Sequence, residues 1–282
     1  MKAFHGGILL AGLLYGCGNP ELKGPLVVSE ENPGYFADRT GKIVYLAGSH
    51  TWNNLVDMVA GPGSDTFDYK KFLDYLESYN HNFFRLWAWD LVTWNTEANG
   101  EENSRLLYVH PKPWLRTGPG QALDGRPRFD LEAFDPEYFQ RLRERVQMAA
   151  DRHMFVAVML FEGWGTQFSQ GAYQFHPFHP SNNIQDLPLS TADSARFEIY
   201  TLAHERITVL QEAYVRKVIE TLHDLDNVLY EISNENHPGS TPWQYHLIRF
   251  IRDTENSTGR VHPVGMTFQY RGGENAVLYN SP

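Results

Sequence analysis

Two periods of apolar and polar positions alternate along the chain after its first thirty-odd residues. "YFADRTGKIVYLAGSHTW" reads as two strands around a Thr-Gly turn, the second running from Ile43 to Leu46 into a polar end. In "DTFDYKKFLDYLESY", Tyr69, Phe72, Leu73, Leu76 and Tyr79 recur at the three-and-four spacing of a helix with one apolar stripe, and "FFRLWAW" follows as a strand. "DPEYFQRLRERVQMAADRH" places Asp135 as a cap, Pro136 in the first turn, and Tyr138, Phe139, Leu142, Val146 and Ala149 on one face, before the β-rich "FVAVMLF". Ile207, Leu210, Tyr214, Val218 and Leu222 repeat the helical spacing and feed into "NVLYEIS". In a last unit Thr241 is placed to cap, Pro242 to start the helix, Trp243, Leu247 and Ile251 form the stripe, and "HPVGMTF" supplies a strand.

Five strands thus alternate with four helices. Apolar strands separated by helices imply parallel pairing with helices covering the sheet, as either an open doubly wound sheet or an eightfold barrel. Loop lengths favour the barrel. The connections from Trp89 to Phe134 and from Glu162 to about Glu205 far exceed the ~12–15 residues beyond which a structureless loop is usually functional. Both follow strands, which in a barrel puts them on the face where active sites are built. The expected fold is α/β: the N-terminal portion of a (β/α)8 TIM barrel, about five of its eight strands, preceded by a short β-hairpin.

Hydrophobic residues at 42% and charged residues at 21% exclude a largely disordered chain and a multi-span membrane protein. A net charge of -10 with no run of Lys and Arg argues against nucleic acid as a partner. The first residues, "MKAFHGGILLAGLLYGCGNP", carry an early lysine, an apolar run from Ile8 to Tyr15 too short to span a bilayer, and the single cysteine, so no internal disulfide forms. That order is the order of a secretory signal, and "LLYGC" resembles the bacterial lipobox, in which Cys17 becomes the lipid-bearing first residue. An ordinary export signal with an incidental cysteine is the alternative. The expected division is a lipoprotein-type signal at 1–16, a lipid-anchored Cys17 and linker at 17–34, and the barrel at 35–282. The protein is expected to be exported and anchored to a membrane, periplasmic or at the cell surface.

In "VLYEISNE", side chains alternate, so Val228, Tyr230 and Ile232 share one face while Leu229, Glu231, Ser233 and Glu235 share the other. The Val, Tyr and Ile set suits helix packing, and a carboxylate facing helices would be stranded in apolar surroundings. Glu231 and Glu235 therefore point into the barrel. Glu235 lies at its mouth, half-buried, where a carboxyl group is suited to general acid work.

Asn234-Glu235 at the end of the fourth barrel strand resembles the asparagine-glutamate pair of clan A glycoside hydrolases. Together "GSHTWNNL", "HNFFRLWAWD", "RTGPG", "VMLFEGW", "YEISNE" and "HPVGMT" resemble the bacterial apiosidase-like or cellulase-like glycosidases. The resemblance implies that Glu235 is the acid/base, that Asn234 hydrogen-bonds a sugar hydroxyl beside the cleaved bond, and that Arg85 steadies a carboxylate. It implies a second, nucleophilic carboxylate on a seventh strand. No such strand occurs within the 282 residues, so the chain reads as the front part of a longer protein and as inactive alone. Glu231 lies too deep and is expected to pair with Arg85, while Asp90 and Glu162 end other strands and border the pocket.

Trp52, Trp87, Trp89, Trp94, Trp114 and Trp164 fall at or after strand ends, a bias that favours two or three of them as sugar platforms over core packing. His50 is placed either to reach a sugar hydroxyl or to serve as a hydrogen-bonded barrel histidine. His176 and His179 of "HPFHP" have no nearby third ligand and read as a loop, so neither metal nor other cofactor is expected. Gly118 and Gly120 of "RTGPG" shape a turn, because no strand-to-helix phosphate loop surrounds them. The expected activity is hydrolysis of plant or microbial polysaccharide or oligosaccharide with retention. A non-catalytic sugar-binding protein on a degenerate barrel is the rival.

Overall fold

The computed structural model describes residues 23–61, 63–95, 106–169 and 171–282. The expected signal segment and Cys17 lie outside the described residues. Three short strands come first: β1 (Val27–Val28), β2 (Phe36–Ala37) and β3 (Ile43–Val44), paired antiparallel in that order. The hairpin around the Thr-Gly turn is present as β2 and β3. β1, however, falls within the stretch expected to be a linker. Beside it Leu26, 1% exposed, packs with Phe155, Ala157 and Leu229, so the folded body begins before residue 35.

Strand β3 belongs to this antiparallel sheet and not, as the apolar pattern suggested, to the barrel wall. The first parallel pairing comes later, where Gly48 bridges Phe83. A Cβ at position 48 would lie 1.5 Å from the Phe83 carbonyl oxygen, so only glycine permits that backbone approach.

After β4 (Asp57–Val59), helix α1 (Tyr69–Ser78) starts at Asp68, whose carboxylate accepts from the Lys71 N–H at 2.9 Å. Tyr69, Leu73 and Leu76 are buried, but Tyr79 lies past the helix end and is exposed. β5 (Phe83–Leu86) follows, then β6 (Thr93–Asn95), β7 (Leu106–His110), β8 (Trp114–Leu115) and β9 (Asp130–Phe134). Helix α2 (Pro136–Ala150) is capped as expected by Asp135, which accepts from Glu137 N–H at 2.9 Å. The remaining elements are β10 (Phe155–Glu162), α3 (Gly163–Phe168), α4 (Glu205–Leu222), β11 (Val228–Asn234), α5 (Thr241–Asn256), β12 (Val264–Gly265) and α6 (Asn275–Tyr279).

β5, β10, β11 and β12 form one parallel sheet in chain order, with Ala157 opposite Arg85 and Met159 opposite Glu231, and Gly48 extends the β5 edge. Each strand lies beside its predecessor without the order reversal of a doubly wound sheet, which is the arrangement of a barrel wall. Among the described residues the sheet does not close on itself.

The five apolar residues expected along α4 are each 5% exposed or less, and burying a side chain of that size contributes roughly 1.5–3 kcal/mol. Trp243 of α5 has no exposure, packs edge-on to Phe161 and Tyr200, and donates Nε1–H to Gln211 Oε1 at 2.9 Å. At the start of α5 the cap position is Ser240 rather than Thr241. A 3-10 turn over Pro238–Ser240 runs straight into the helix, and the Thr241 hydroxyl donates back to the Pro238 carbonyl. The long connection after β5 is not structureless: β4, β7 and β6 form an antiparallel sheet, and β8 pairs with β9. Strands of two to five residues are too short for a period to stand out in the sequence.

Candidate active site

The ends of β5, β10 and β11 bring four polar side chains into one chain of hydrogen bonds. Arg85 donates from Nε to Glu231 Oε2 at 2.8 Å and from a terminal nitrogen to Glu231 Oε1 and to Asn234 Oδ1, the last at 2.9 Å. Asn234 Nδ2 in turn donates to Glu162 Oε1 at 3.2 Å. The guanidinium takes the amide oxygen and the carboxylate takes the amide nitrogen, so the orientation of the Asn234 amide is fixed. One N–H of Nδ2 is left over.

Glu162 is 1% exposed and also accepts from the backbone N–H groups of Trp164 at 3.0 Å and Gly165 at 2.5 Å, capping α3. Burial pushes its carboxyl up to about 8; the nearby Asp90 charge adds to this, and the bonds from Gly165, Asn234 and Trp164 oppose it. Gly165 is needed for the cradle. A Cβ there would stand 2.6 Å from Glu162 Oε2 and 2.9 Å from the Trp89 ring.

Strict alternation would turn Asn234 toward the helices. Instead Asn234, Glu162 and Glu235 share one cleft. Arg85 bonds both Glu231 and Asn234, three positions apart, so the two-residue period breaks before Asn234; Glu235 follows with a left-handed φ of 43°, a conformation costing a non-glycine residue about 1–3 kcal/mol. Two bonds hold it: Gln167 Nε2 donates to the Glu235 carbonyl at 2.6 Å, and Glu235 N–H donates to Thr267 Oγ1 at 3.0 Å. Thr267 Oγ1 donates to the Ser233 carbonyl at 2.9 Å. Backbone strain held in this way clusters at functional sites.

Trp52, Trp87, Trp89, Trp94 and Trp164 wall the cleft, whose volume is about 230 Å3. Trp52 stands edge-on to Trp94 at 5.1 Å, and Trp94 lies 5.2 Å from Trp89. Trp114 is instead packed between Phe178 and Tyr214, away from the cleft. Among the described residues, the buried indole N–H groups of Trp87 and Trp94 meet no acceptor. His50 lies flat on Trp87 at 5.0 Å, and loss of water around its ring, with the Arg85 charge, keeps its pKa below the usual histidine value.

Asp90 does not line the cleft. Itself half-buried, it accepts from the hydroxyl of the buried Tyr200 at 2.6 Å. His176 Nδ1 accepts from Phe178 N–H, which leaves the proton on Nε2; that nitrogen is 3.1 Å from the Tyr200 oxygen, so the chain runs His176 to Tyr200 to Asp90. Burial keeps His176 neutral, down to about 3. Lys112, 6% exposed, donates Nζ–H to the Trp89 carbonyl. Burial raises the Asp90 carboxyl and lowers the Lys112 ammonium, while their mutual attraction opposes both shifts. Lys112 sits between prolines in "HPKPW" and Tyr200 ends a 3-10 helix (Asp193–Tyr200), so no spacing singles out either.

His179 Nδ1 accepts from Ser181 N–H, and both histidines of "HPFHP" shape their loop. Among the described residues no group of three His, Cys, Asp or Glu is placed to hold a metal ion. In "RTGPG", Gly118 N–H donates to the Arg128 carbonyl and Arg116 pairs with Asp124, a structural turn.

The family described as "Domain of unknown function (DUF6298)" matches residues 107–280. No curated protein matches the sequence. Among solved structures, the chain is similar to a glycoside hydrolase family 5 mannosidase from Rhizomucor miehei, with 12% identity and a TM-score of 0.54 over 90% of this chain and 58% of that one. It is similar to an endogalactoceramidase at 16% identity and a TM-score of 0.51, over 86% and 52% of the two chains. It is also similar to endo-glycoceramidase II from Rhodococcus sp. at 16% identity and a TM-score of 0.50, over 84% and 52%. The chain therefore spans just over half the length of these three structures, and at such identities the likeness concerns the fold.

Proposed function

We propose that this chain, which belongs to the DUF6298 family, is a glycoside hydrolase that cleaves O-glycosidic bonds of plant or microbial polysaccharide with retention, Glu235 being its acid/base. The observation that carries this reading is Asn234-Glu235 at the end of β11, with Glu235, in a left-handed conformation, lining a cleft walled by five tryptophans. Glu235 protonates the glycosidic oxygen as the bond breaks and then takes a proton from the water that releases the sugar. The remaining Asn234 N–H meets a sugar hydroxyl, and the indole faces cover the C–H face of the ring. Retention requires a second carboxylate about 5–5.5 Å from the acid. Glu162 is poorly suited to attack, because both its oxygens accept hydrogen bonds; its part is to orient Asn234. The motifs "RTGPG", "VMLFEGW" and "YEISNE" support a place beside the apiosidase-like or cellulase-like hydrolases. The lipobox-like "LLYGC" supports export with a lipid on Cys17.

Glu235→Gln in the active protein is expected to lower turnover of a natural glycoside at least ~100-fold while sugar binding is retained, since general acid catalysis contributes that much and Gln keeps the shape. Unchanged turnover overturns the assignment. Sugar binding without turnover in the unmodified protein favours the non-catalytic reading.

A further inference from the structure

On the glycosidase reading, Glu235 also marks where the departing half of the substrate sits, because a general acid stands beside the oxygen it protonates. Two segments are bonded to Glu235 itself. Its carbonyl accepts from Gln167, the neighbour of Phe168 at the end of α3, and its N–H donates to Thr267, on the stretch after β12 that carries Phe268 and Tyr270. Both segments bring aromatic rings. Trp164, which lines the cleft with Glu235, lies 5.9 Å from Phe168, and Phe168 lies 5.5 Å edge-on from Tyr270. The stripe therefore leads out of the cleft on the acid's side, and the stacked His50 and Trp87 and the Trp52, Trp94 and Trp89 group form a separate set of rings.

Tyr270 is 40% exposed and so carries little of the core. The Arg271 guanidinium stands 5.5 Å from the centres of both the Phe168 and Tyr270 rings and donates Nε–H to the Tyr270 hydroxyl at 3.4 Å. Flat apolar faces with polar groups at their rim suit a pyranose, whose C–H face is apolar and whose edge carries hydroxyls.

We propose that Trp164, Phe168 and Tyr270 form a binding platform for a sugar ring of the leaving group, with Arg271 over the Phe168 and Tyr270 rings, so that the substrate is an oligosaccharide and not a glycoside of a small alcohol. The inference rests on the glycosidase reading and is tested separately from it. Tyr270→Ala and Phe168→Ala are compared with the unmodified protein on cello- and manno-oligosaccharides and on β-glucosyl and β-mannosyl fluoride, whose leaving group has no ring to stack. Tyr270→Ala, at an exposed ring, guards against a folding effect at Phe168.

The expected result is a loss of about tenfold in kcat/KM on oligosaccharides, carried by KM, with fluoride hydrolysis changed by less than about twofold. Equal losses on both substrate types, or none on either, overturn the platform and leave the hydrolase reading standing. Cellohexaose or mannohexaose binding, followed by tryptophan fluorescence, that weakens in Tyr270→Ala without any cleavage supports the platform and overturns the hydrolase. Neither binding nor cleavage overturns both.

Discussion

Replacing Glu162 with Gln removes a titration that burial has moved far from its ordinary range. In the folded protein this carboxyl titrates at about 8 against an ordinary 4.5, and each pH unit of displacement corresponds to about 1.4 kcal/mol. A raised carboxyl pKa means that between these two values the folded protein holds a proton which the unfolded chain has released. The stability contribution is therefore fullest below pH 4.5 and falls as pH rises through the window toward 8. Between pH 5 and pH 8 the wild-type protein loses about 3 kcal/mol through this group. Gln does not titrate, but its NH2 replaces one of two oxygens facing three donors, a pH-independent cost of about 1–3 kcal/mol. Urea unfolding followed by tryptophan fluorescence at pH 5, 6, 7 and 8 measures both proteins. The variant is expected to be the less stable at pH 5, with the difference shifting by about 3 kcal/mol in its favour by pH 8. Parallel profiles would refute the reasoning and mean that the three donors, not burial, govern the carboxyl.

Gly165→Ala pushes a methyl against Glu162 Oε2 and Trp89; it should destabilise the fold by about 1–3 kcal/mol in thermal unfolding and lower glycoside turnover. Glu255→Ala strips the buried His262 of the partner for both its Nδ1 and its N–H, at 2.7 and 2.8 Å, and should cost about 3–5 kcal/mol in urea unfolding; a loss below about 1 kcal/mol contradicts this. Cys17→Ser should release the protein from the membrane fraction, since an acyl anchor contributes about 0.8 kcal/mol per buried methylene, and equal fatty-acid labelling without Cys17 contradicts the anchor.

Local periodicity was enough to reveal the helical stripes of α2 and α4, the inward face of β11 that carries Glu231, and the position of Glu235 at a strand end. Those features depend on neighbours within a turn or on the two-residue alternation of a strand, both of which are written into adjacent positions. What lay beyond that range was decided by the tertiary structure. Alternation alone sends Asn234 to the wrong face, whereas Arg85, 149 residues away, bonds both Glu231 and Asn234, so the alternation is broken between those two positions of β11. Asp90 reads as a cleft carboxylate until Tyr200, 110 residues on, claims it. The cleft wall likewise joins Trp52, Trp94 and Trp164 from three separate connections. Leu26 reads as linker until it meets Phe155 and Leu229. In each case a side chain's environment is supplied by residues far away in sequence, and no local pattern encodes which distant surface will arrive there.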